Sequence, residues 1–155
     1  MDIIREKNHY KGISLVTGLC LRVGGVTLAF LILYFLLMDV FGFGRIIWLR
    51  AFNMVILGWG ILVGLRQYKG LVKSNIEYFT GLRIGALISL IAVIPFAVMT
   101  GIYLSIDTGF MNYLVSSMSI GMYLNPATAA AAIMAEGIVS GLIFTFIVMP
   151  YFKEQ

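Results

Sequence analysis

One cysteine, one histidine, three prolines and only 12% charged residues mark what this chain of 155 residues does without. The single Cys20 excludes a disulfide scaffold and any quinone-linked dithiol enzyme, since both need cysteine pairs. The single His9 stands among charged residues at the start, so no ligand set for haem or a metal can be assembled. A Ser–His–Asp hydrolase fails for want of a histidine near the apolar segments. Gly24–Gly25 follows no strand and is not a phosphate cradle. The expectation is a protein that is not an enzyme and holds no cofactor or metal. Soluble domains carry roughly 25% charged residues, about twice the share here. In their place stand 61% hydrophobic residues and a mean hydropathy of +0.99, a composition that calls for lipid as the surrounding medium.

Crossing a bilayer takes about 20 apolar residues, at 1.5 Å each over roughly 30 Å. Residues 84–106 carry no charge over 23 positions, and 127–149 carry one, Glu136, over another 23. Residues 23–38 form an uncharged run of 16 that extends back across Arg22 toward residue 15. Residues 46–65 make 20, interrupted by Arg50 and Asn53. The reading is an all-α membrane protein with four transmembrane helices, at about 15–38, 46–65, 84–106 and 127–149, in one antiparallel bundle.

Orientation follows from the cations. Arg5, Lys7, Lys11, Arg22, Arg66, Lys69, Lys73, Arg83 and Lys153 fall on one side, nine in all, and only Arg45 and Arg50 on the other. Under the positive-inside rule both termini are expected in the cytoplasm. The net charge of +4 is then a matter of topology, and no nucleic-acid partner is expected. The basic start and apolar run superficially fit a secretory signal, but no small-x-small cleavage site follows, so an uncleaved first span is expected.

Connections leave no room for a second domain. Residues 40–45 read as a tight outer turn with Gly42 and Gly44. The cytoplasmic segment 66–83, with Leu71, Val72, Ile76, Tyr78 and Phe79 among lysines and arginines, suits a short interfacial helix as well as a plain loop. Residues 105–126 read as an outer connection, closed by Asn125 as N-cap and Pro126 at the first helical position. Pro150 is expected to end the last helix. Tyr34, Trp48, Tyr68, Tyr103, Tyr123 and Tyr151 fall near helix ends, as an interfacial belt does.

Helices in lipid associate through small residues that let backbones approach. Gly60 with Gly64, Gly81 with Gly85, and Gly137 with Gly141 are spaced four apart. Gly18, Arg22, Gly25 and Ala29 share one face of the first span, and Ala129, Ala132, Glu136 and Ser140 one face of the last. Asn53 shares a face with Gly60 and Gly64, with Arg50 a turn above. Polar residues thus sit on small-residue faces, which predicts that Glu136 points into the bundle. It lies nine residues, about 14 Å, from the start of the last span. A charge at that depth costs roughly 2.5–3.5 kcal/mol on insertion scales, so protonation or a partner is expected. By depth the partners are Asn53 and Arg50 first, then Arg22. The cluster then clamps helix register or couples to a proton or cation. Pro95 has a similar pair of readings, a gating hinge or an ordinary proline of a spanning helix.

The stretch Gly70–Leu71 through Ile76–Glu77–Tyr78–Phe79–Thr80–Gly81–Leu82–Arg83–Ile84–Gly85 resembles a cytoplasmic segment that opens the third of four spans in small bacterial membrane proteins. Ala135–Glu136–Gly137–Ile138–Val139–Ser140–Gly141 in the last span resembles the same group, catalogued as domain of unknown function 4199. The tail departs from it, with Lys153 alone where a basic cluster is usual. The resemblance implies a four-helix bundle in a bacterial inner membrane and no reaction. Two functions follow as expectations. One is a non-enzymatic structural or interaction subunit, or assembly factor, whose partners are the bilayer and a second copy or another membrane protein. The other is an oligomeric, transporter-like protein with Glu136 as coupling group, since a lone four-helix bundle is too thin to enclose a wide path.

Overall fold

A computed structural model of the chain describes residues 2–42, 51–72, 76–117 and 123–153, with side chains from residue 15 to residue 152. The regular structure among them is helical: α1 (Asp2–Val40), α2 (Ala51–Val72), α3 (Tyr78–Ile106), α4 (Thr108–Ser117) and α5 (Pro126–Lys153). Leu15–Val40, Tyr78–Ile106 and Pro126–Phe152 are each long and apolar enough to cross a membrane. The shortest, 26 residues, extends about 39 Å against a hydrocarbon core of about 30 Å. The protein is an all-helical, multi-pass membrane protein. α2 is not among these three. Asn53 near its start and Arg66–Gln67 near its end leave residues 54–65 uninterrupted, only about 18 Å of helix.

Element boundaries differ from the sequence reading in three places. Segment 66–83 is not an independent interfacial helix: α2 continues to Val72, residues 76–77 are non-helical, and α3 begins at Tyr78. Extending the flanking helices keeps their backbone groups paired through the interface, where water is scarce. Glu77, extended at φ −61°, ψ 132°, precedes α3 without a side-chain cap. The outer connection contains a helix of its own, α4, whose N-cap is Asp107: its Oδ1 accepts from the Phe110 backbone N–H at 3.0 Å. Pro150 lies inside α5. Its ring removes one backbone bond, but Met149 and Phe152 on either side are buried and hold the last turn against the core. At the other end of α5 the capping is reciprocal. The Thr128 N–H donates to Asn125 Oδ1 and the Asn125 N–H to Thr128 Oγ1, both at 2.8 Å. α1 ends on Gly42 at φ +70°, whose N–H donates to the Asp39 carbonyl at 2.9 Å.

Packing follows the glycines. A methyl group built on Gly81 would meet Met149, one on Gly85 would meet Thr145, one on Gly141 Ser89, and one on Gly137 Val93. Each step of four residues up α3 is matched by four down α5, so the two run antiparallel with a glycine on one side or the other at each level. Two of the facing residues are hydroxyls whose hydrogen bonds stay in their own helix. Ser89 Oγ donates to the Gly85 carbonyl at 2.8 Å and Thr145 Oγ1 to the Gly141 carbonyl at 2.7 Å. The hydroxyls are therefore satisfied without a cross-helix partner, and the close fit itself supplies the contact. α1 and α2 meet in the same way. Gly60 faces Thr27, and Gly64 faces Ile88 of α3 and Val23 of α1. Gly24 of α1 abuts Ile91 and Gly58 of α2 abuts Phe144, both at 2.9 Å or less from a built methyl. α2 thus lies alongside α1, α3 and α5 together.

Candidate functional site

Where α2 and α5 part, a crevice forms between them. Its walls are Asn53, Met54 and Leu57 from α2 and Ile133, Glu136, Gly137 and Ser140 from α5; Leu31, Val93 and Phe96 form its floor. It has room for about 40 Å³, enough for about three waters at 10–15 Å³ each. That is a niche and no passage through the bundle.

Glu136 and Asn53 stand on this niche together, but Glu136 does not point into the core. Its side chain is exposed on the bundle surface, beside exposed Ala131, Ala132 and Ala135. The reason is a rotation of α5 about its axis. The glycines that weld α5 to α3 lie on the stripe of Gly137, Gly141 and Thr145, and Glu136 falls on the adjoining stripe at the border with α2. Asn53 is half-buried. Its Oδ1 is completely enclosed and has no hydrogen-bond partner, so no proton from Glu136 reaches it in this arrangement. Ser140 Oγ donates to the Gly137 carbonyl at 3.1 Å and keeps its lone pairs. The crevice therefore presents oxygen acceptors: a carboxyl at its mouth, a carbonyl in its wall and a hydroxyl between.

The other members of the expected cluster go elsewhere. Arg22 is exposed, with Gly18, Gly25 and Ala29, and a methyl on Gly18 or Gly25 would meet nothing within 4 Å. This stripe is the one opposite α1's buried face of Cys20, Val23, Gly24, Thr27 and Leu31. Arg22 also lies nine residues, about 13 Å, from Leu31 on the crevice floor. It is no partner of Glu136. Arg50, like Arg45 and Trp48, lies outside the described residues. The six glycines expected at helix contacts all stand against a neighbouring helix or turn, as described above.

Gly24, Gly58 and Gly101 also make close contacts, and spacing does not single them out, because none has a small residue four positions away that shares its contact. Cys20 is buried, with its thiol 3.9 Å from the Ile84 carbonyl. A polar group at the outer end of α1 and α3 also has no sequence signature, because it joins residues 64 apart. Tyr103 Oη donates to Asp39 Oδ1 at 2.7 Å, with Asp107 Oδ2 at 3.2 Å, and its ring meets Phe35 edge-on at 5.2 Å between centroids. One phenolic proton serves two carboxyl groups, and the shorter bond takes it. Tyr103→Phe keeps the ring contact and removes the tie from α1 to α3. Thermal unfolding in detergent is expected to register a loss of about 0.5–1.5 kcal/mol.

No group of three or more His, Cys, Asp or Glu side chains that could hold a metal occurs among the described residues. Among known families, characterised proteins and solved structures, none matches this chain. Function must be read from the crevice and the surfaces that flank it.

Proposed function

We propose that this protein is a non-enzymatic interaction subunit of a bacterial inner membrane, with four spans and both termini in the cytoplasm. α2 as the fourth span is supported by its packing against α1, α3 and α5 and by the nine-to-two cation bias. The inner-membrane assignment is supported by the resemblance to domain of unknown function 4199 at Gly70–Gly85 and Ala135–Gly141.

The observation that carries the functional reading is the outward face of α5. Ala131, Ala132, Ala135 and Glu136 are exposed there, at a depth where lipid is the only alternative neighbour. Alanines give lipid little dispersion contact and admit a close backbone. An unpartnered carboxyl among acyl chains is costly, so a second helix on this face relieves both penalties. The partner is a second copy or another membrane protein. A second reading, a coupling group for a proton or cation in an oligomer, is supported by the unpartnered Asn53 Oδ1 beside Glu136.

The test is native mass spectrometry from mild detergent. The wild type is expected as an assembly heavier than one 17.2 kDa chain, and Ala132→Leu/Ala135→Leu as the isolated chain with an unchanged melting temperature. A wild type that flies as a single chain, or a variant that stays assembled, would overturn the reading.

A further inference from the structure

We propose that the crevice between α2 and α5 binds a small desolvated monovalent cation, Na⁺, through Glu136, Asn53 and Ser140. The proposal goes beyond both functional readings: a coupling role requires such a site, whereas a subunit that only docks partners does not. It stands on four observations. Asn53 Oδ1 is wholly enclosed and unpartnered, and a buried acceptor of that kind calls for a donor or a cation. Glu136 stands on the same crevice and supplies the negative charge that makes a cation the better of the two. Ser140 lies one turn along the same helix. Its proton is committed to the Gly137 carbonyl, so its oxygen faces any ligand as an acceptor. The volume of about 40 Å³ admits one bare ion with about two waters and excludes an organic cation of any size.

The chemistry is that of a hard cation held by oxygen ligands, here a carboxylate, an amide carbonyl and a hydroxyl, with water completing the shell. A single carboxylate matches a single positive charge, and a divalent ion would be left half-neutralised in a low-dielectric wall. Leu31, Leu57, Val93 and Phe96 close the inner side, so the ion enters and leaves past Glu136 at the mouth. Exposure of Glu136 is what that route requires.

The experiment uses the purified full chain in detergent at about pH 8, well above the ordinary carboxylate range. NaCl is titrated against choline chloride at equal ionic strength, with melting temperature and the line width of the sodium NMR resonance as readouts. The expected result is a saturable rise in melting temperature with Na⁺ alone, and a broadened sodium line that choline does not narrow. Both responses should vanish in Glu136→Gln, which keeps the shape and removes the charge, and in Asn53→Leu, which removes Oδ1. Each variant's melting temperature in choline shows that it is folded. Equal responses to Na⁺ and choline in the wild type would overturn the proposal, as would a sodium response that survives in folded Glu136→Gln. Loss of assembly in Ala132→Leu/Ala135→Leu with the sodium response intact leaves this proposal standing, so the two readings fail separately.

Discussion

Leu at both Gly137 and Gly141 is expected to lower the stability of the folded chain by about 4 kcal/mol, at 1–3 kcal/mol for each overpacked site. A methyl carbon alone on Gly137 would stand 2.6 Å from Val93 Cγ1, and on Gly141 it would stand 2.9 Å from Ser89 Cβ, nearer still to the Ser89 hydroxyl. Neither neighbour has a flexible end to swing aside. Val93 is β-branched and 3% exposed, and Ser89 is fully buried with its hydroxyl tied to Gly85. The helices must therefore separate along the seam that joins α3 to α5. Thermal unfolding in detergent measures the loss. The neighbour belongs to the same chain, so the loss appears at any protein concentration. Gly141→Ala alone should already show a loss, which separates this seam from an ordinary lipid-facing glycine.

The second large effect is expected at Gly60 and Gly64. Val at both positions places side chains on Thr27 and Ile88 and pushes α2 from the other three long helices, at about 2–4 kcal/mol by the same overpacking argument. Gly18→Ala and Gly25→Ala are the contrast. Both glycines are exposed in α1 with open space where a methyl would go. Ala there is expected to be neutral, or to stabilise by up to about 1 kcal/mol through helix propensity. Melting temperatures of the four variants in one detergent decide whether small residues act by position or by number.

That contrast also shows where sequence reasoning succeeds and where it stops. Long apolar runs mark α1, α3 and α5 because their lengths match the hydrocarbon layer, and Asn125–Pro126 marks the start of α5 because capping is local chemistry. Glycines four apart mark real contacts at Gly60/Gly64, Gly81/Gly85 and Gly137/Gly141. On α1 the same rule chooses the wrong face. Lipid and protein interior are both apolar, so a polar-versus-apolar contrast between faces cannot tell Gly18/Gly25/Ala29 from Cys20/Gly24/Thr27. Glu136 is misplaced for the same reason: a row of small residues on one stripe of α5 does not reveal that the stripe beside it makes the seam. α4 is illegible because ten residues with mixed polarity look like any outer connection. Pairs such as Tyr103 with Asp39, or Asn53 with Glu136, are set by helix rotation and depth together, and neither is written in local spacing.

Four crossings with α1 and α3 running in the same direction require α2 to traverse the membrane between them. Single cysteines at Gly70 and at Ser117, labelled in intact spheroplasts with a membrane-impermeant maleimide, test this most directly. Native Cys20 is fully buried and serves as an unlabelled background. Ser117→Cys should be labelled from outside, and Gly70→Cys only after the membrane is permeabilised. Labelling of both from outside would show that α2 does not cross, and the four-span bundle would be contradicted.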